Sequence, residues 1–206
     1  MTILALEFSS RCRSVAIARG ESILSEVTEA GGRGMAAFAM IEQALARAKM
    51  ERGEIDTIAV GLGPGSYTGI RGAIALAQGW QLARDIRSIG VSSVAAIAAR
   101  ARAERLFGRV HIVVDAQREE FYLATYEIGE NAVTEIAPLK ILPLVEVQQR
   151  AENGEMIAGP DVEVLRGRVI FPGAGDVVRL AAPGEVLPGE KLEPIYLRET
   201  NFVKQR

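Results

Sequence analysis

The sequence predicts an α/β fold built from two related halves, the second of them abbreviated. Three observations carry this reading. Short runs rich in Ile, Val, Leu and Ala alternate with stretches whose apolar residues recur at helical spacing. The opening of the chain recurs, because Arg109 to Asp115 (RVHIVVD) repeats the pattern of Thr2 to Glu7, each copy ending on an acid before a polar turn and a further strand. Four glycines and a proline crowd a turn between strand and helix in the first half, at Gly61-Leu62-Gly63-Pro64-Gly65-Ser66-Tyr67-Thr68-Gly69. A chain of 206 residues holds one large or two small domains. The expected division is 1–107 and 108–206, with the tail of the second part returning toward the first.

Residues 3–8 (ILALEF) and 14–19 (SVAIAR) read as strands joined by the polar Ser9-Ser10-Arg11-Cys12-Arg13, and Gly20-Glu21 turns into a third strand from Ser22 to Thr28. Gly31-Gly32-Arg33-Gly34 breaks the chain before a helix over 35–50, whose apolar positions Phe38, Ile41, Ala44, Leu45 and Ala48 are spaced by three and four. Ile55 to Val60 is the next strand, and the glycine turn leads into a helix from Ile70 to Ala83. Ser88 to Val91 is a short strand, and Ser92-Ser93 caps an alanine-rich helix reaching Leu106. In the second half, strands are expected at 109–115, around Tyr122 to Tyr126, at 132–136 and from Gly154 to Ala158, with a helix over 143–152.

Composition excludes several kinds of chemistry. With 24 Lys plus Arg against 26 Asp plus Glu and no dense basic run, the chain alone is not expected to grip a nucleic acid backbone by counterion release. The opening Met1-Thr2-Ile3-Leu4 lacks a basic leader, and no uncharged stretch approaches the ~18 residues of a membrane span, so a soluble cytoplasmic protein is the expectation. The single Cys12 cannot form an intramolecular disulfide, and with only His111 beside it no structural zinc set can be assembled. Cys12 reads as a small residue near a hairpin, and His111 as a strand-edge residue without a nucleophile or orienting partner. No catalytic residue and no metal ligand is assigned.

The glycine turn is the most informative segment. Its members Gly61, Gly63, Pro64, Gly65, Ser66, Thr68, Gly69 and Arg71 sit between a buried strand and a helix N-terminus. Such a turn either cradles an anion on exposed N–H groups or admits close approach by another backbone. It is not a Walker A loop, having no Gly-Lys-Ser/Thr, and Pro64 and Tyr67 break the register of a dinucleotide fingerprint.

The order of elements is the plan of the actin-like ATPase superfamily (the ASKHA, ribonuclease H-like folds). Within it, the run from Gly61 to Gly72 with Ala77-Gln78-Gly79 resembles the TsaB family (older name YeaZ), and other pieces agree along most of the chain. They are Ile3-Leu4-Ala5-Leu6 with Ser9, Ile89-Gly90-Val91-Ser92-Ser93, Asp115-Ala116 with Glu120 and Tyr122, and Glu193-Pro194-Ile195-Tyr196-Leu197-Arg198. The family usually has Asp-Thr where Glu7-Phe8 stands, and often a His-Ser or His-Thr at the first helix where Gly34-Met35 stands. The resemblance implies a non-catalytic subunit of the machinery that places threonylcarbamoyladenosine at position 37 of transfer RNA. It would bind and activate a TsaD-type transferase and help recruit a TsaE-type ATPase, meeting tRNA only indirectly and no membrane.

Two features weigh against catalysis. In active members of the superfamily two acid-and-glycine turns hold the nucleotide phosphates. Here Glu7-Phe8-Ser9-Ser10-Arg11 and Asp115-Ala116-Gln117-Arg118-Glu119 lack glycine, and Glu119 and Glu120 add repelling charge. The first long helix also carries no histidine, unlike the paired-histidine helix of TsaD, and nothing supports the old peptidase label of this group. No cofactor is expected in the isolated chain, with ATP or ADP bound only in complex with partners. The alternative is a small-molecule kinase or ATPase of the same fold using the 61–69 turn for phosphate. Function then lies in a surface. The second helix is light (Gly69, Gly72, Ala73, Ala75, Ala77, Gly79), as is the first (Ala36, Ala37, Ala39, Ala44, Ala46), and the residues alone leave an interface and packing against the parent sheet both open. By resemblance the two helices meet the equivalent pair of TsaD, or their own copies in a homodimer, through Ala37, Met40, Ile41, Ala44, Gly69, Ile70, Ala73, Ile74 and Ala77.

Overall fold

A computed structural model of the chain describes residues 1–31, 36–84, 86–181 and 191–197. The expected break at Gly32 to Gly34, Met35, and Arg198 of the tail motif lie outside these. Strand β1 (Thr2–Glu7) pairs antiparallel with β2 (Cys12–Arg19), which pairs with β3 (Ser22–Ala30). On its other side β1 runs parallel to β4 (Thr57–Gly61), and β4 runs parallel to β5 (Arg87–Val91). Helices α1 (Ala37–Ala48), α2 (Tyr67–Ala83) and α3 (Ser93–Ala103) make the crossovers.

The second half repeats this plan. Strand β6 (Gly108–Asp115) pairs antiparallel with β7 (Glu120–Ile128), and β7 with β8 (Val133–Pro143). Helix α4 (Leu144–Glu152) leads to β9 (Met156–Gly159), parallel to β6, and to the two-residue β10 (Arg168–Val169). The sheet orders β3-β2-β1-β4-β5 and β8-β7-β6-β9-β10 are therefore equivalent position by position. This is the duplicated actin-like ATPase plan, and the abbreviation is explicit. Where α2 stands in the first half, the second has only a 3-10 turn, Glu163–Leu165.

Period-2 alternation explains how one strand serves two layers. Leu4 and Leu6 of β1, with Val15, Ile17, Ile58 and Val60, point to the core beneath α1 and α2. Their neighbours Ile3 and Ala5, with Ala16, Ala18, Ala59, Ile89 and Val91, point to the opposite face. That face is closed by α5 (Ala174–Ala181), a helix from the far end of the chain, through Ala174, Val177, Val178 and Ala181. Conversely α3, which belongs to the first half by sequence, places Val94, Ile97, Ala98 and Ala101 on the second sheet against Val110, Ile112, Tyr122 and Ala124. Each half lends a helix to the other. An ion-pair cluster joins the lent helices, with Arg100 Nε 2.8 Å and Arg179 Nη1 3.0 Å from the carboxylate of the buried Asp176. No helix among the described residues is long and apolar enough to cross a membrane.

Candidate functional site

The glycine turn leaves β4 at the edge of the carboxyl ends of the strands and packs against the β1–β2 turn. A β-carbon at Gly61 would collide with the carboxylate of Glu7, and one at Gly65 or Gly69 with the carbonyls of Ser9 and Phe8. Ser66 N–H donates to the Ser9 carbonyl at 2.7 Å, while Ser66 Oγ caps α2 by accepting from Gly69 N–H at 3.3 Å. Gly63 and Pro64 are buried, and the peptide between them is cis. Of the two uses open to such a turn, the structure shows close backbone approach. Thr68 and Arg71 face solvent on the first turns of α2.

Glu7 anchors this arrangement. It is fully buried, and its carboxylate accepts Ser9 N–H at 2.7 Å and Ser93 Oγ–H at 2.8 Å. Ser93 Oγ in turn accepts Gly63 N–H at 3.1 Å, so one carboxylate ties β1, the glycine turn and the start of α3 together. Burial pushes the Glu7 carboxyl above its ordinary range against the lowering pull of the Ser9 and Ser93 hydrogen bonds. The equivalent acid of the second half behaves differently. Asp115 Oδ1 accepts Gln117 N–H at 2.7 Å and its other oxygen accepts the Gln117 amide at 2.8 Å, folding the turn on itself. Gln117, Arg118 and Glu119 all have left-handed φ (64°, 60° and 59°), unusual for three successive residues with β-carbons.

A tie between the two halves lies close to these turns. Arg11 makes it: Nη2 lies 2.7 Å from Glu163 Oε1 in the second half, and the guanidinium lies 5.2 Å from the centre of the Phe171 ring. Asp161 stands nearby, its carboxyl raised by burial despite the Arg11 charge. Cys12 is half-buried at the start of β2, its thiol pushed up by desolvation and by Glu26, which disfavours a reactive thiolate.

His111 corrects an expectation. It sits on β6, in the middle of the second sheet and not at its edge, and it has partners. Nδ1 lies 3.0 Å from Thr125 Oγ1 and Nε2 lies 2.6 Å from Glu155 Oε2. Burial lowers the imidazole below its usual value and outweighs the opposing pull of Glu155. The sequence hid this because Glu155 lies 44 residues away, after α4.

The residues named for a partner interface fall mostly inside the chain. Met40, Ile41 and Ala44 of α1 and Gly69, Ile70, Ala73, Ile74 and Ala77 of α2 are buried, and Ala37 is half-buried. Ala73 and Ala77 are closed by the parent sheet, because small side chains let α2 lie close over β1 and β4. The exposed side of the same pair is a different set. Phe38, expected in the core, is 62% exposed and Leu82 90%. Phe38, Ala75, Leu76, Gly79, Trp80 and Ala83 line a groove of about 410 Å³ between α1 and α2. Its rim carries the Glu42–Arg52 ion pair at 2.7 Å and Arg84. Helical spacing in the sequence marks a light helix but cannot say which of two light faces meets the sheet.

Comparison with known proteins fits this geometry. The family model described as TsaD: tRNA N6-adenosine threonylcarbamoyltransferase matches residues 36–171. The tRNA threonylcarbamoyladenosine biosynthesis protein TsaB of Escherichia coli is 32% identical over 179 residues, 77% of this chain and 78% of that one. The chain belongs to the TsaB family. The TsaB of Bacillus subtilis is 29% identical over 140 residues, 67% of this chain and 60% of its own. Among solved structures, YeaZ from Pseudomonas aeruginosa superposes with a TM-score of 0.81 at 27% identity, covering 95% of this chain and 99% of that one. The glycine turn packed on the β1–β2 turn and the exchanged helices are thus features of a TsaB-type chain.

Proposed function

We propose that this protein is a non-catalytic subunit in the synthesis of threonylcarbamoyladenosine on tRNA, docking a TsaD-type transferase on the exposed face of α1 and α2 and supporting recruitment of a TsaE-type ATPase. The observation that carries the reading is the groove between these helices. A monomeric surface seldom leaves an apolar groove open beside an exposed side chain like Phe38, with Leu82 also in water on α2, unless something covers them. The match of this chain to the TsaD family model supports a partner of the same fold, which would present an equivalent helix pair. Two helix pairs meeting face to face make a four-helix contact of ordinary geometry.

Support for inactivity comes from the two turns that end β1 and β6. Glu7 is held by internal hydrogen bonds, Arg11 spans to Glu163, and Gln117 to Glu119 fill the second turn with side chains, leaving no backbone cradle for phosphates. The catalytic step then belongs to the partner. Calorimetry with the TsaD-type protein of the same organism tests the reading. Wild-type chain should bind, and Ala75→Arg or Leu82→Asp should abolish binding without changing the circular dichroism spectrum. Unchanged affinity in both variants refutes docking on this face, and magnesium-dependent micromolar ATP binding by the isolated chain refutes inactivity.

A further inference from the structure

At the glycine-turn end of α2, Tyr67 and Arg71 lie one helical turn apart on the exposed side. Tyr67 is 60% exposed, and its ring stacks on that of Tyr196 with centroids 5.6 Å apart and planes inclined by 22°. The Arg71 guanidinium lies 5.3 Å from the centre of the Tyr67 ring. Tyr196 is delivered by the segment 191–197, which is fastened in two ways: Leu192 is buried beside Gly90, and Ile195 N–H donates to the Leu62 carbonyl at 2.8 Å. The tail motif and the Tyr-x-x-x-Arg of the glycine turn, far apart in sequence, therefore make one cluster. Its outer edge is the exposed Leu197.

Arg71 is exposed and makes no ion pair with a described residue. A guanidinium held against a ring has lost much of its rotamer freedom already, while its in-plane N–H fork stays open. A fork so held suits a carboxylate, which it can bind through two parallel hydrogen bonds. Tyrosine and arginine are also the residue types that dominate protein–protein contacts when ringed by apolar surface, and the lining of the α1–α2 groove begins at Ala75, one turn beyond Arg71 on the same helix.

We propose that Tyr67, Arg71 and Tyr196 form the charge-reading end of the docking face, where Arg71 takes a carboxylate side chain of the protein partner and the tyrosine pair walls it from water. The inference rests on the docking reading above and adds to it the chemistry of one contact. A protein carboxylate fits better than an RNA phosphate, because a single arginine beside a tyrosine pair in a nearly neutral chain offers no track of cations.

The test is calorimetry of the TsaD-type partner against the full chain and its Arg71→Ala, Arg71→Lys, Tyr196→Ala and Ala75→Arg variants, each first checked for an unchanged circular dichroism spectrum. Arg71→Ala should weaken binding by about tenfold or more, as truncating one member of a desolvated charge pair does. Arg71→Lys should recover only part of that loss, since an ammonium lacks the fork. Raising ionic strength should weaken the wild type more than Arg71→Ala. Wild-type affinity in Arg71→Ala overturns the inference. If Ala75→Arg abolishes binding in that case, the docking reading stands without it; if Ala75→Arg also binds normally, both fall. If Arg71→Ala instead loses binding of the isolated chain to unmodified tRNA while keeping the protein partner, the ligand is a nucleic acid and the proposal is wrong.

Discussion

The turns that follow β4 and β9 occupy equivalent places in the two halves, and they begin alike. Gly61 comes against the Glu7 carboxylate, and Gly159 against the Val113 carbonyl of β6, so each half keeps a glycine where its fourth strand passes its first. Each then has a Gly-Pro pair, Gly63-Pro64 and Gly159-Pro160. After that they diverge. The first half continues into the 17 residues of α2, the second into the three of a 3-10 turn ended by left-handed Arg166 and by Gly167. The difference teaches that the turn is kept by packing against the first strand, while the helix depends on what comes next. From Ile70 onward residues 70–83 are strong helix formers, with glycine only at Gly72 and Gly79; 163–169 offers two glycine-or-left-handed positions within a few residues. Only the first half therefore owns a long second helix with an outer face, and the α1–α2 groove is confined to that half for that reason.

Variants can sharpen this contrast. The largest effect belongs to Ala73→Arg. The residue is fully buried over β1 and β4, so an unpaired charge there should cost about 3–5 kcal/mol and show as loss of folding in urea, whereas Ala75→Arg two residues on should leave stability within about 0.5 kcal/mol. Equal destabilisation by both would mean that α2 has no free face. Next is Arg100→Ala, which leaves buried Asp176 with Arg179 alone and should cost about 2 kcal/mol by equilibrium unfolding. A neutral result would show the exchanged helices to be held by apolar packing only.

The pH dependence separates the halves further. Glu7 is raised in the folded protein, so the native state holds its proton more tightly; that contribution is complete below the ordinary carboxylate range and is lost as pH rises through the raised value. His111 is lowered, so its contribution is present above the ordinary imidazole value and is lost as pH falls below it. Unfolding followed across pH should show Glu7→Gln flattening the first slope and His111→Gln the second, with neither touching the other. The smallest effect is expected for Arg11→Ala. Its ion pair with Glu163 is half-exposed, worth about 0–1 kcal/mol, so stability should barely move while hydrogen exchange near residues 161–165 quickens. A large loss of stability would make Arg11 a structural strut instead of a weak surface tie between the two halves.

Much of this architecture is legible in the sequence. The strands at β1, β2, β4, β6 and β7, helices α1 to α4 and the duplication all follow from periodicity and punctuation. What escapes does so for physical reasons. Strand β8 runs on to Pro143, far past the 132–136 that its pattern marks, because it is an edge strand and tolerates Pro138. Helix α5 is two turns long and shows too few periods to declare itself. At the site, the glycine turn is readable as special, but which face of α2 meets the sheet depends on β1 and β4, and the cluster of Tyr67, Arg71 and Tyr196 depends on a tail residue 129 positions beyond Tyr67. Such long-range pairings leave no local mark.

The exchange of helices between halves also sets an order of events during synthesis. Strand β5 ends at residue 91 and completes the first sheet, yet the helix that closes its second face ends at residue 181. At the ~5–20 residues per second of a ribosome, those 90 residues take about 5–18 s. Until α5 follows, Ile3, Ile89 and Val91 have no helix to cover them, so the nascent chain carries apolar residues that the finished protein buries.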